Sequence, residues 1–408
     1  MIRGENSREN RIARAAWLAL IVVLVVAAVP RPVNLEAGLL SVHAQQGDQP
    51  VTIQPHRLYL PVIRLPQRIY LPLVGGPGSV GSGGMETLLL PAGQRLLGAP
   101  APRGFVTRDG ENLQLSGQPF TFIGTNVSYL AGPYFPEDRM EEVISVLAAG
   151  GVEVIRVWVE PRFDLDRVER MLDLGRQYNI RFILTLQDFF GQQDGWWFKA
   201  KYKTVDMPHI RQIVPRFAQR PEVLMWELMN EPTCPAEDAD RACWEALYRW
   251  AEVTSQVVKG LDPHHLISVG TQRAGFDERA IDAFRNIHAL DTIDIVSVHG
   301  QGGRVAKGGR QLERDIAHEL GKPIFFGEIH LRGHNKQCQP LSSEALHTRA
   351  QTIAADIEQS WAAGIDGYLL WQYAFGRLGS DDEPGQYYCG VFDYFSNDPV
   401  WKVLKDIK

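Results

Sequence analysis

Met225-Trp226-Glu227-Leu228-Met229-Asn230-Glu231-Pro232 runs from large apolar residues into an amide, an acid and a proline. Pro323-Ile324-Phe325-Phe326-Gly327-Glu328 does the same a hundred residues later. Each reads as a short buried strand with a carboxylate at its C-terminal end. Outward from these two, similar apolar runs recur, so that strands are expected at 120–126, 152–159, 181–186, 223–229, 265–270, 293–298, 323–327 and 367–371. Helical patterns lie between them, for example at 136–149, 164–178, 239–259, 310–320 and 343–363. Eight strands alternating with helices predict an α/β protein, a (β/α)8 TIM barrel, over residues 101–408. A doubly wound open sheet is the competitor. Against it, no Gly-rich phosphate loop follows any strand, and polar and acidic residues gather at strand ends, where a barrel builds its site.

The chain has 408 residues, 45% of them hydrophobic and 22% charged, with a net charge of −6. That composition is globular, and the acidic balance gives nucleic acid no electrostatic footprint. Residues 1–44 read as a signal peptide or signal-anchor. Arg3, Arg8, Arg11 and Arg14 precede an apolar stretch at 17–29, shorter than the roughly 20 residues of a spanning helix. Val42-His43-Ala44 offers a cleavage pattern of small residues. A secreted or extracellular protein is expected, with membrane anchoring by an uncleaved signal as the alternative. Residues 45–100 are a Pro/Gly-rich linker. An imperfect 11-residue repeat runs through 56–66 and 67–77, and a Gly/Ser stretch through 75–84. It reads as a spacer or a cell-surface association element.

Export makes the four cysteines candidates for disulfides. Cys234 and Cys243 follow the Glu231 strand; Cys338 follows the Glu328 strand and Cys389 the last strand. The expected pairs are Cys234–Cys243 and Cys338–Cys389, and the spacing does not resemble a zinc site.

The chemistry is carried by residues at strand ends. Two acids on different strand ends can face one another across a pocket, as retaining glycoside hydrolysis requires. Glu231 is assigned as general acid/base, with a pKa raised by burial and a negative neighbour. Glu328 is assigned as the nucleophile, kept ionised. Arg156 lies inside the apolar run Val154-Ile155-Arg156-Val157-Trp158 and must have a buried partner, either Glu328 or Glu227. Asn230 offers an amide to a sugar hydroxyl, or a turn before Pro232. His299, ending Val296-Ser297-Val298-His299, offers a hydrogen bond to Glu231 or the substrate. Trp371 offers a face for sugar stacking, and Trp158, Trp196 and Trp197 are further subsite candidates. Neither a metal nor an organic cofactor is expected.

With these residues in place, the chain resembles glycoside hydrolase family 5, in its endo-β-1,4-mannanase-like branch. The resemblance spans roughly 104–375. Gly104-Phe105-Val106-Thr107 and Gly117-Gln118-Pro119-Phe120 resemble the family's opening hairpin, and Gly124-Thr125-Asn126-Val127-Ser128 its first strand end. Trp226-Glu227-Leu228-Met229-Asn230-Glu231-Pro232 is similar to the mannanase acid/base motif. The resemblance implies the same roles for Glu231, Glu328, Arg156, Asn230, His299 and Trp371. Three places depart from the family pattern. Gln301 stands where a tyrosine usually bonds the nucleophile, Ile329-His330 follow Glu328, and Gln187-Asp188 end the third strand. Another tyrosine filling the space, or a shifted activity, would follow from Gln301. The expectation is a monomeric β-1,4-glycanase acting by double displacement, with mannan as substrate. Glucomannan or β-glucan is the alternative, and a catalytically impaired carbohydrate-binding protein is the reading of another class.

Overall fold

The computed structural model describes residues 104–188, 196–234, 241–275, 277–302, 310–335, 339–374 and 393–407. The signal, the linker with its repeat, and both Cys338 and Cys389 lie outside them. Three short strands open the described chain: β1 (Val106–Asp109), β2 (Asn112–Leu115) and β3 (Gln118–Pro119) form an antiparallel sheet. The barrel strands follow, each with its helix: β4 (Phe122–Asn126) and α1 (Met140–Ala149), β5 (Val154–Trp158) and α2 (Leu165–Tyr178), β6 (Arg181–Thr185) and α3 (Asp206–Phe217), β7 (Val223–Glu227) and α4 (Arg241–Leu261). The second half repeats the unit: β8 (Leu266–Ser268) and α5 (Glu278–His288), β9 (Val296–Gln301) and α6 (Gln311–Glu319), β10 (Ile324–His330) and α7 (Ser343–Ala362), β11 (Gly367–Leu370) and α8 (Val400–Asp406). The eight strands pair in parallel in the order β8-β7-β6-β5-β4-β11-β10-β9, which wraps the first strand against the last as a barrel does. The (β/α)8 expectation is met.

Side-chain alternation explains why the sheet curls around a core of its own. Phe122, Val154, Ile183, Met225, Leu266, Phe325 and Leu369, from seven barrel strands, and Ile295, just before β9, form one buried cluster, the barrel interior. Val106 and Leu113 of the β1–β2 hairpin join it. The alternate residues, among them Ile155, Leu184, Trp226, Ile267, Phe326 and Leu370, pack outward against the helices in a second, larger cluster. Strands buried on both faces read as continuous apolar runs, which is why they stood out in the sequence.

Local signals set the helix ends. Asp164 accepts from the Asp166 amide at the start of α2, and Asn179 closes that helix in the left-handed conformation. Asp277 and Ser342 cap α5 and α7 in the same way. Helices α3, α5 and α8 lie outside the five patterns named from the sequence. In α3 the two prolines obscured the period. Pro208 falls in the first turn, where no intrahelical N–H bond is required, and Pro215 forgoes one bond near the far end. Among the described residues, no helix is long and apolar enough to cross a membrane.

Candidate active site

Inward-facing residues at the C-terminal ends of the strands form a polar layer above the apolar interior. Arg156 occupies its centre with no exposed surface. Its Nε donates to Glu227 Oε1 at 2.6 Å, Nη1 to Glu328 Oε1 at 2.7 Å and to Asn126 Oδ1 at 3.0 Å, and Nη2 to Asn230 Oδ1 at 2.8 Å. The sequence left Glu328 and Glu227 as alternative partners; the structure gives both. Glu227 is completely buried, and Thr185 and Ser268 donate to it as well. Burial opposes the guanidinium's charge, but the two carboxylates outweigh it and move its pKa upward.

Glu328 owes its inward position to a bulge. In the β9–β10 ladder Phe326 pairs with Val298 and Glu328 with His299, so Gly327 is an extra residue. Phe326 faces outward, and strict alternation from it would turn Glu328 outward too; the bulge restores it to the pocket. A Cβ at Gly327 would lie 3.0 Å from His299 Nε2, so glycine lets the histidine close over the bulge. Burial raises the Glu328 pKa. The His299 charge, a hydrogen bond from His330 and the Arg156 charge together overcome this and bring it to about 2. The carboxylate is therefore ionised at neutral pH, as the sequence reading required.

Glu231 sits just beyond β7 with φ +48, a conformation uncommon for a residue with a side chain. Its amide donates to Gly270 O at 2.8 Å. Gly270, itself at φ +87, is indispensable there: a Cβ would stand 1.9 Å from Met229 O. Two donors meet Glu231 Oε1, His299 Nδ1 at 2.6 Å and Gln272 Nε2 at 2.9 Å. The side chain is 28% exposed, against 5% for Glu328, so Glu231 stands nearer the mouth.

The expected upward pKa shift of Glu231 is not what the site produces. Burial and the Glu328 charge push it up, but the His299 bond and charge, aided by Gln272, bring it below the ordinary value. Physically, His299 donates from Nδ1 to Oε1 and so favours the charged carboxylate. Among the described residues His299 Nε2 is buried without a hydrogen-bond partner, so a second ring proton would be unsatisfied.

One oxygen of Glu231, one ring nitrogen of His299 and one oxygen of Glu328 lie within 4.8 Å of one another. They are the one group of metal-ligand type among the described residues, but Arg156, Gln272 and His330 already engage the same carboxylates. Asn230 is anchored at both ends of its amide, accepting from Arg156 and donating to Asp188 Oδ1 at 3.1 Å.

Trp371 is partly buried, with its ring 5.9 Å from Trp158 and 6.0 Å from His330. Two other tryptophans are not placed as platforms. Trp158 is 1% exposed, with the Arg156 guanidinium 4.4 Å over its ring. Trp197 is 2% exposed and donates to Asp206, a core contact. Neither ring offers an open face to a sugar, because both support the layer beneath. The Trp196 side chain lies outside the described residues. Cys234 and Cys243 form the expected disulfide, tying the chain just after Glu231 to α4.

Asn126, Asp188, Gln272 and His330 belong to the site and were given no role from the sequence. Asn126 donates to Gly327 O and Leu370 O, pinning the bulge. Only their place at strand ends signalled them. His330 Nε2 lies 3.3 Å from Glu328 Oε2, so a histidine meets the oxygen for which another tyrosine was considered.

Residues 150–301 match the family model described as GH family 5 beta-mannosidase-like. Over that stretch the chain is similar to glycoside hydrolase family 5. Over 353 residues it is 24% identical to the probable mannan endo-1,4-beta-mannosidase A of Aspergillus oryzae, covering 72% of this chain and 86% of that protein. It is 26% identical over 343 residues to mannan endo-1,4-beta-mannosidase 7 of Oryza sativa subsp. japonica, covering 65% and 88%. The solved structure of the glycoside hydrolase family 5 mannosidase from Rhizomucor miehei superposes with a TM-score of 0.60 at 19% identity, over 75% of this chain and 97% of that one. The endo-1,4-beta-mannanase of the same organism gives 0.58 at 19% identity, over 74% and 98%. These structures share the barrel fold. The family match and the curated relatives together make the chain a glycoside hydrolase, as the resemblance implied.

Proposed function

We propose that this glycoside hydrolase is a secreted, monomeric endo-β-1,4-mannanase that works with retention, through a glycosyl-enzyme intermediate. One observation carries the mechanism: two carboxylates with oxygens within 4.8 Å of one another, one on a buried arginine and one on a histidine. Retaining enzymes hold their acids about 5–5.5 Å apart, whereas inverting enzymes keep roughly 6.5–9.5 Å to admit a water.

In the first step Glu328 attacks the anomeric carbon. The glycosidic C–O bond breaks, its electron pair goes to the leaving oxygen, and Glu231 protonates that oxygen. A sugar entering the pocket expels water and disfavours a second carboxylate charge beside Glu328, so Glu231 takes up the proton it donates. In the second step Glu231 takes a proton from water, and the oxygen so activated displaces Glu328 from the sugar. Asn230 is positioned by Arg156 and Asp188 to bond a sugar hydroxyl beside the reacting carbon, and Trp371 to stack on the sugar's C–H face. This chemistry calls for no metal or organic cofactor.

Mannan as substrate rests on the names of the relatives. Secretion rests on the N-terminal arginines and apolar stretch, and the Cys234–Cys243 bridge supports it, because disulfides persist in oxidising compartments. The test is reducing-sugar release from mannan, glucomannan, carboxymethylcellulose and xylan by the full chain, beside Glu231→Gln and Glu328→Ala. Mannan cleavage abolished in both variants supports the proposal. Cleavage of a glucan alone would replace the substrate, and silence on all four from folded protein would overturn the reading.

A further inference from the structure

We propose that His330 positions the carboxylate of Glu328. The proposal rests on the reading of Glu328 as nucleophile. Strand β10 continues two residues past Glu328, and His330 pairs with Gln301 of β9. Beyond the Gly327 bulge, Glu328 and His330 are two residues apart on an extended strand and so share a face. The bulge that turns the acid into the pocket therefore brings the histidine with it.

A carboxylate held at one oxygen can still swing about that contact. Arg156 fixes Oε1 at 2.7 Å and is itself immobilised by Glu227, Asn126 and Asn230. Oε2 must be fixed separately for the plane of the group to be set. His330 Nε2 lies 3.3 Å from Oε2 and His299 Nδ1 lies 3.5 Å from it. His299 makes its shorter contact with Glu231, at 2.6 Å, so the closer of the two rings to Oε2 is His330. The His330 ring is held edge-on to Trp371 at 6.0 Å and 84°, and its side chain is 26% exposed, so it lines the pocket.

The tautomer follows from the contact: a lone pair on Nε2 would repel the carboxylate, so Nε2 carries the proton and donates. The charged groups around the pair are Arg156 from β5, His299 from β9 and Glu231 beyond β7. Arg310 lies alongside Gly300, its Nε 3.6 Å from where a Cβ would stand.

The experiment compares the full-length wild type with His330→Phe, which keeps a ring against Trp371 and removes the donor, and with His330→Gln, which restores an N–H near Nε2. An activated 2-deoxy-2-fluoro-mannosyl substrate traps the glycosyl-enzyme, and peptide mapping locates the label. We expect H330F to lose about 10- to 100-fold in labelling rate and kcat with KM little changed, and H330Q to recover most of the loss. If H330F does not fold, His330→Asn, too short to reach Oε2, is read in its place. H330F labelled at the wild-type rate, or H330Q as slow as H330F at equal thermal stability, overturns the role of His330. Label on a residue other than Glu328 in the wild type overturns the nucleophile reading itself. The two failures are thereby distinguishable.

Discussion

Arg156 binds Glu328 at 2.7 Å through Nη1 and Glu227 at 2.6 Å through Nε, so one buried guanidinium is shared by the deepest carboxylate of the barrel and the one at the pocket. Charge balance in the layer depends on this sharing, because neither acid has appreciable access to water.

Replacing Arg156 should separate stability from catalysis. Lysine offers one ammonium where the guanidinium meets four acceptors. Arg156→Lys keeps the charge but leaves buried acceptors unsatisfied, and is expected to lose roughly 1–3 kcal/mol in urea unfolding. Its kcat should fall by about 100-fold or more. The double change Arg156→Met with Glu227→Leu removes the guanidinium together with the deepest carboxylate and leaves Glu328 to the histidines. It should recover much of the stability and none of the activity; recovery of both would show that Arg156 does not serve Glu328.

Gly270 supports the acid from the next strand. With 1.9 Å between a would-be Cβ and Met229 O, Gly270→Ala must displace the end of β7. The expected outcome is a loss of about 2 kcal/mol or more, with kcat falling further than stability alone explains, because Glu231 moves with its backbone. Equal kcat per folded molecule would show that the contact is structural only.

The role of Glu231 as the acid predicts how activity depends on the leaving group. Glu231→Gln keeps the contacts with Gln272 and His299 but cannot protonate. Mannan hydrolysis should fall by roughly 100- to 10,000-fold. An aryl mannoside whose phenolate leaves without a proton should still form the glycosyl-enzyme. Its accumulation, with release accelerated by added azide, is the measurement. Equal loss on both substrates would assign Glu231 another role.

His288 makes the fold sensitive to acid. It is fully buried, donates from Nδ1 to Phe284 O and contacts Thr271, and burial lowers its pKa from 6.5 to about 3. The unfolded chain takes up the proton first, so this contribution is complete above pH 6.5 and is lost as pH falls from 6.5 towards 3. Its limit is roughly 5 kcal/mol by linkage. Asp206 and Asp366, raised by burial from 3.8 to about 6, act oppositely and lose stability as pH rises through that interval. His288→Gln should be slightly less stable at pH 7, with a flatter decline towards acid. A decline as steep as the wild type's would place the sensitivity elsewhere.

The sequence by itself determined the barrel and its two acids. Strands buried on both faces are apolar throughout, and a charged residue interrupting or ending such a strand has few places to go but the pocket or a buried partner. Arg156, Glu231 and Glu328 were legible for that reason. The tertiary structure decided what depends on contacts between strands. Gly327 turns Glu328 inward only through its register with β9, which no run within β10 reveals. Trp158 and Trp197 carry the residue type of a sugar platform, but packing closed both of their faces. Glu231 was expected with a raised pKa, and the contact from His299, 68 residues away in sequence, reversed the direction. His330 met Glu328 where the sequence showed only a departure. Periodicity records which side of an element is buried. Pairing across the barrel mouth is set by where eight separate strand ends meet, and that is fixed only when the sheet closes.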